Sequence, residues 1–396
     1  MRPFILVFLL LTIWLAASPA RAFHAQVQRL DAELPQAQRL APLYFQLLPE
    51  HLILEDVLAD PAIYHSFQPL PSQQNALLAP TGQATWLFVR LDYQGSTDLQ
   101  AVLDYPFPLA DRVTLYQVNR SNQRFTKLQR TGTDYPFSMR QIPSRSFATR
   151  LTLQAGEQHD IYIKIQDAAL TSTVLSLWSE PAFHAHQQQL DQTDWFIQGM
   201  LWLLVLFALT AYRQPSQRYL AGFFAALAMV VATLNGLAFA WLWPEQPEIN
   251  HSILYIFAGT SLLCLNAFIQ HGLLLTKQPL SKILAQFNAL LAWLLLFSPL
   301  YAQGQQRLYL LIIISAFVLL INLLQAVRFS LATISVQRRM SWLAQCCIVT
   351  SMLLCLVHTS YLVPAEGSYS TLQFIMLLLC VVLLLSLPAT PNNQGN

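Results

Sequence analysis

Seven apolar segments, at about 195–212, 217–241, 250–275, 283–302, 308–328, 340–363 and 369–388, are each long enough to cross a bilayer, and short loops join them. In hydrocarbon every backbone amide must find its partner inside its own segment, so runs of this kind have one outcome, the helix. The second half of the chain is therefore predicted to be an all-α seven-helix transmembrane bundle. The loops at 213–218, 277–282 and 328–339 hold seven Lys/Arg and no acid, whereas those at 243–250, 301–307 and 363–370 hold three acids and one Arg. Basic loops stay in the cytoplasm. With an odd number of spans, that places the preceding part outside and the C-terminus inside, and Trp195, Trp241, Trp243 and Tyr301 sit where interfacial aromatics are expected.

Residues 1–22 combine Arg2, the apolar run "FILVFLLLTIWLAA" and Ala20-Arg21-Ala22, the form of a cleaved signal peptide. An uncleaved anchor is the alternative, and Pro19 speaks against it. From 86 to 180 the chain alternates apolar and polar residues in short runs: "WLFVRLDYQ", "LQAVLDYP", "RVTLYQVN", "FTKLQRTG", "SFATRLTLQ", "DIYIKIQD" and "TVLSLWSE". Turns such as "QGSTD", "NRSNQ" and "QAGEQ" separate them, which predicts an antiparallel β-sandwich. The stretch "LYFQLLPEHLILEDVL" fits a strand or a helix. Charge divides the chain in the same way, with 17 acids against 12 bases over 23–194 and three against eight over 195–396. All five cysteines lie in apolar segments, so the outer domain is expected to be held by its core and not by disulfides.

No catalytic constellation stands out, and no enzyme activity, metal or cofactor is expected. His159, His184 and His186 are scattered or lack the further ligands that zinc needs. Asp104, Asp111 and Asp134 fall at strand ends, where Asp commonly serves a turn. A retinal protein would need a Lys in "YSTLQFIMLLLCVVLLLSLP", and a transporter would carry ionisable groups deep in its spans; neither is present. The intramembrane polar residues Asn235, Asn266, Gln270, His271, Asn322, Gln325, Gln345 and His358 are expected to bond to neighbouring helices. In the outer domain, aromatic faces stack on sugar rings and guanidinium forks hold carboxylates or sulfates. Trp86, Tyr135, Arg90, Arg140 and Arg145 are the candidate ligand contacts on that chemistry; core packing and ion pairing along strands is the competing account of the same residues.

The stretch "TGTDYPFSMRQIPSRSFATRLTL" (131–153), with "WLFVRLDYQ" and "DYPFPLADRVTLY" before it and the entry segment "WFIQGMLWLLVLFALTAY" after it, resembles the bacterial seven-transmembrane receptors with diverse intracellular signalling modules. The resemblance implies a jelly-roll-like periplasmic sensor over 23–190, similar to carbohydrate-binding modules, feeding a transmembrane unit over 191–388 in the inner membrane. In that family an output enzyme usually follows, whereas here the expected tail is 389–396. The expectation is a receptor-like protein that binds a periplasmic small molecule or glycan and signals to a separate protein. That partner would dock on the inner loop 327–340 through Arg328, Arg338 and Arg339, cations that membrane lipid would otherwise engage. A homo-oligomer is compatible with this scheme, and nucleic acid is not an expected partner. The alternative is an accessory protein for envelope polysaccharide assembly or export, and a transporter is the less favoured reading.

Overall fold

The computed structural model describes residues 25–30, 37–71, 76–78, 82–122, 124–167, 170–210, 215–272 and 279–332. Its first half holds β1 (Val27–Leu30), β2 (Gln38–Arg39), β3 (Tyr44–Pro49), the short helices α1 (Leu54–Ala59) and α2 (Pro61–His65), and then β4 (Gln68–Pro69) and β5 (Ala76–Leu78). The main strands follow: β6 (Gln83–Tyr93), β7 (Leu99–Tyr105), β8 (Arg112–Asn119), β9 (Arg124–Thr131), β10 (Phe147–Leu153), β11 (Gln158–Gln166), β12 (Leu170–Ser172) and β13 (Ser176–Trp178). The stretch that fitted either strand or helix contains both, since β3 runs into α1 within it.

The larger sheet is ordered β4-β3-β6-β11-β8-β9, with β1 also on β6, the smaller is ordered β10-β7-β13-β2, and β5 pairs with β12 apart from both. All pairings are antiparallel except β1 with β6. Period-two alternation sends Leu87, Val89 and Leu91 of β6 and Ile161, Ile163 and Ile165 of β11 inward, against Leu103 and Tyr105 of β7 and Phe147 and Leu151 of β10. These side chains are almost fully buried between the two sheets, which makes the domain a sandwich.

The outer face of each sheet is covered as well. Over the larger sheet, α1 lays Leu54 and Val57, and α2 the partly buried Ile63, on a cluster that holds Trp86, Phe88, Tyr116 and Tyr162. Asp60 starts α2 by accepting a 2.8 Å hydrogen bond from Ala62 N, with Pro61 at the first helical position, where its missing N–H does no harm. Over the smaller sheet, Val102, Ala148 and Trp178 pack on Phe183 of the next helix.

That helix, α3 (Glu180–Thr210), begins one residue after β13 and runs for 31 residues through the expected domain boundary at 190. At 1.5 Å per residue it is roughly 46 Å long, so about a third of it stands clear of a 30 Å hydrocarbon core. α4 (Pro215–Leu234), α5 (Leu237–Trp241), α6 (Asn250–Gly272), α7 (Pro279–Tyr301) and α8 (Gln305–Ala332) complete the described part. Five of the described helices are long and apolar enough to span. The expected spans at 340–363 and 369–388, the signal peptide, and Arg338 and Arg339 lie outside the described residues.

Apolar contact with lipid does not favour one helix partner over another, so polar pairs carry much of the specificity inside a membrane. Asn288 Nδ2 donates to Asn322 Oδ1 at 3.0 Å, Gln270 Nε2 to Gln325 Oε1 at 3.2 Å, and Asn266 Nδ2 to Ala285 O at 3.0 Å. All are buried. A double-mutant cycle with Asn288→Leu and Asn322→Leu, read by thermal unfolding in detergent, is expected to give a coupling of roughly 0.6–2 kcal/mol. Zero coupling would show that the two amides do not choose each other.

Candidate functional site

The sandwich meets the helices along one segment, residues 132–146. It leaves β9 at Gly132, whose φ of +145° is open only to glycine and brings the loop back over β8: Thr133 N donates to Ala110 O at 2.9 Å and Asp134 N to Asp111 O at 3.0 Å. A short 3-10 turn, Phe137–Met139, then points at the helix ends. Phe137 N donates to Pro244 O at 2.7 Å, Ser138 Oγ to Glu245 Oε2 at 3.1 Å, and Asn250 Nδ2 to Thr133 O at 3.2 Å.

Arg145 is the centre of this junction. Its guanidinium pairs with Asp194, reaches Asp191 at 2.8 Å, and donates to Asn235 O at 3.1 Å. Asp191 and Asp194 are three residues apart on α3 and therefore share a face. Asn235 Nδ2 adds a 2.8 Å bond to Asp194 Oδ1. One side chain of the sandwich thus holds α3 and the end of α4 together. The expected span 217–241 is not continuous: it breaks at Gly236, whose φ is +72°. A Cβ there would lie 2.9 Å from Pro108 Cβ and 3.6 Å from Arg145 Cβ, so the break lets the sandwich approach the helix.

Arg140 sits beneath Arg145, with its guanidinium over the rings of Phe137 at 4.4 Å, Phe147 at 4.6 Å and Phe239 at 5.6 Å. It donates to Ser144 O and Arg145 O, and so shapes the loop that presents Arg145. Burial pushes its pKa down to about 9, which leaves it charged at neutral pH, stabilised by ring faces instead of an acid. Tyr135, half-buried, lies under Arg130 at 5.0 Å. His251 stands between Asp134, at 3.2 Å from Nε2, and Asp111, at 4.0 Å from Nδ1, while Arg112 Nε pairs with Asp134 at 3.2 Å. Asp111, Asp134 and His251 could each offer a metal a ligand atom. The carboxylates, however, face different ring nitrogens, and an arginine already engages one of them, which is the arrangement of a set of ion pairs across the junction.

The other two candidates lie elsewhere, on the outer face of the larger sheet. Arg90 donates to both oxygens of Asp160, at 2.7 and 2.9 Å, and to Tyr64 Oη of α2 at 2.8 Å. Burial works against its charge, and Asp160 more than restores it, holding the pKa above the ordinary arginine value. Trp86 is fully buried, with its ring parallel to Tyr116 at 6.1 Å. Beside it Lys164 Nζ donates to Glu50 O at 2.6 Å and Leu52 O at 2.8 Å, the residues that lead into α1. Burial lowers the pKa of Lys164, and Glu50 opposes part of that shift. Across the sheet Tyr44, Phe88, Tyr162 and Tyr116 form one cross-strand row. Trp86 Nε1 and Tyr162 Oη are buried there without hydrogen-bond partners. An unsatisfied buried donor costs about 1–3 kcal/mol.

The five candidate ligand residues therefore do not converge. Arg140 and Arg145, expected as ligand contacts, turn their donors in this structure to carbonyls, rings and the acids of α3, which is the ion-pairing account of the same residues. Sequence reasoning missed those acids and the break at Gly236; the signals were "DQTD" at 191–194 and the Asn-Gly pair at 235–236. Arg328 lies in α8, where its side chain is not described.

Residues 49–179 match the family model described as 7TMR-DISM extracellular 2, and residues 191–387 match the one described as 7TM diverse intracellular signalling. The first match ends just before α3, and the second begins within that helix at residue 191. No curated protein matches the chain.

Proposed function

The chain belongs to the seven-transmembrane receptors with diverse intracellular signalling modules, and on that premise we propose that it is a sensor of the bacterial inner membrane that binds a small carbohydrate-like ligand in its periplasmic sandwich and reports occupancy to a separate partner inside. The observation that carries this reading is the Arg145 junction, which ties the sandwich to two helices at once. A change of sandwich shape that moves residues 132–146 also moves Asp194 of α3 and Asn235 at the end of α4. Ligand binding then shifts the population of bundle arrangements by its difference in affinity between them. The ring-parallel Trp86 and Tyr116, with Lys164 beside them, supply the stacking surface and donor that a sugar ring needs. The protein does no chemistry of its own in this reading.

The cytoplasmic partner docks on the inner segment 327–340, which starts in the last turns of α8 and carries Arg328, Arg338 and Arg339. Reversing Arg338 and Arg339 to Glu should abolish cross-linking of that loop to a protein in native membranes, whereas the matched reversal of Lys277 and Lys282 should not. A reporter fused after Asn396 must read as cytoplasmic in both variants, because basic loops also hold topology. Cross-links that capture only lipid, whose attraction to each cation is about 1 kcal/mol, or only copies of this chain would remove the partner from the scheme.

A further inference from the structure

The segment 50–67 lies over the aromatic outer face of the larger sheet. Six-residue α1 and five-residue α2 are too short to persist alone and are held in place by what they cover. Their ties to the sheet include Leu54 and Val57, both fully buried, the bond from Arg90 to Tyr64 Oη, and the two bonds from Lys164 to Glu50 O and Leu52 O. Beneath them lie the Trp86–Tyr116 pair and the row from Tyr44 to Tyr162. In this covered state Trp86 Nε1 and Tyr162 Oη, on side chains with 0% and 1% of their surface exposed, donate to nothing.

From this arrangement we infer that residues 50–67 are a displaceable cover over a saccharide subsite, in which Trp86 and Tyr116 stack on a pyranose ring while Trp86 Nε1, Tyr162 Oη and Lys164 donate to its oxygens. Covered, the sandwich is in its resting form, and a saccharide must move the cover to reach the face. Lys164 exchanges two backbone carbonyls for ligand oxygens when the cover leaves, and the two idle donors acquire the partners they lack. The cover lowers apparent affinity by the fraction of time it is open. The inference rests on the carbohydrate reading above and assigns it a place and a control.

The test uses the full chain in nanodiscs against an array of neutral and uronic-acid oligosaccharides. Val57→Ala, which removes one of the cover's packing contacts and leaves every platform residue in place, should tighten binding about fivefold and speed amide exchange in Leu54–Ala59 while β6 and β11 stay protected. Tyr162→Phe should weaken binding about tenfold with no loss of melting temperature, because the hydroxyl it removes satisfies nothing in the covered state. A lower melting temperature in Tyr162→Phe, or saccharide affinities that neither change moves, would overturn the subsite and leave the carbohydrate reading standing. Faster cover exchange in Val57→Ala with no saccharide bound by either protein would overturn the proposal through its ligand.

Discussion

Replacing Arg145 by alanine is expected to release the sandwich from the helices at the cost of about 3 kcal/mol of junction stability. The side chain is 12% exposed and so is Asp194, so the change strands a largely buried carboxylate that keeps only its bond from Asn235. Asp191, half-exposed, loses its partner to water and contributes little. The amides of Leu237–Trp241 should then exchange on the order of a hundredfold faster in the full chain, since each 1.4 kcal/mol is a factor of ten. Adding Asp194→Asn should recover much of the loss, because the stranded charge, and not the missing contact, is the larger penalty. Arg145→Lys should fall between, as a point charge cannot serve Asp191, Asp194 and Asn235 O from one fork. Unchanged exchange in α5 after Arg145→Ala would mean that other contacts couple the two halves.

What the sequence made legible was whatever repeats at short range. The β8 strand was readable residue for residue from "RVTLYQVN", because Val113 and Leu115 alternate with side chains of the opposite face. Five of the expected spans were readable from hydropathy, and the polar residues Asn266, Gln270, Asn322 and Gln325 do bond between helices as expected. The junction was not readable in this way. Arg145 meets residues 49 and 90 positions away, and nothing local distinguishes a guanidinium that will find Asp194 from one that awaits an anion. A hydropathy window passes over Gly236 because one glycine barely alters its mean, although the backbone reverses its sign of φ there. Trp86 illustrates the same limit: its alternation placed it on a sheet face, and only the path of 50–67 decides that this face is covered.

Gly132→Ala should destabilise the outer domain by roughly 2–6 kcal/mol when backbone strain and overpacking are combined. A Cβ on this residue would stand 2.0 Å from Asp111 O and 2.8 Å from Arg112 Cα, both backbone atoms, so no side chain can swing aside. Its φ of +145° is strained for any L side chain even if room were made. Relief requires β8 and β9 to separate at Val113 and Thr131, the last pair of their ladder, and this breaks the bonds from Thr133 N to Ala110 O and from Asp134 N to Asp111 O. Those bonds aim residues 132–146 at the helices, so the loss should spread: Asp134 drifts from His251 and Thr133 O from Asn250 Nδ2. The expected signature is a lower melting temperature together with faster exchange in β9 and in the first turn of α6, while the inter-sheet core around β6 and β11 keeps its protection. Gly156→Ala makes the control, since that glycine also has positive φ but a Cβ there meets nothing within 4 Å. If the two variants lose equal stability, the close approach at Asp111 is not what Gly132 is for, and the loop takes its direction from the helices it touches instead of from the strands that launch it.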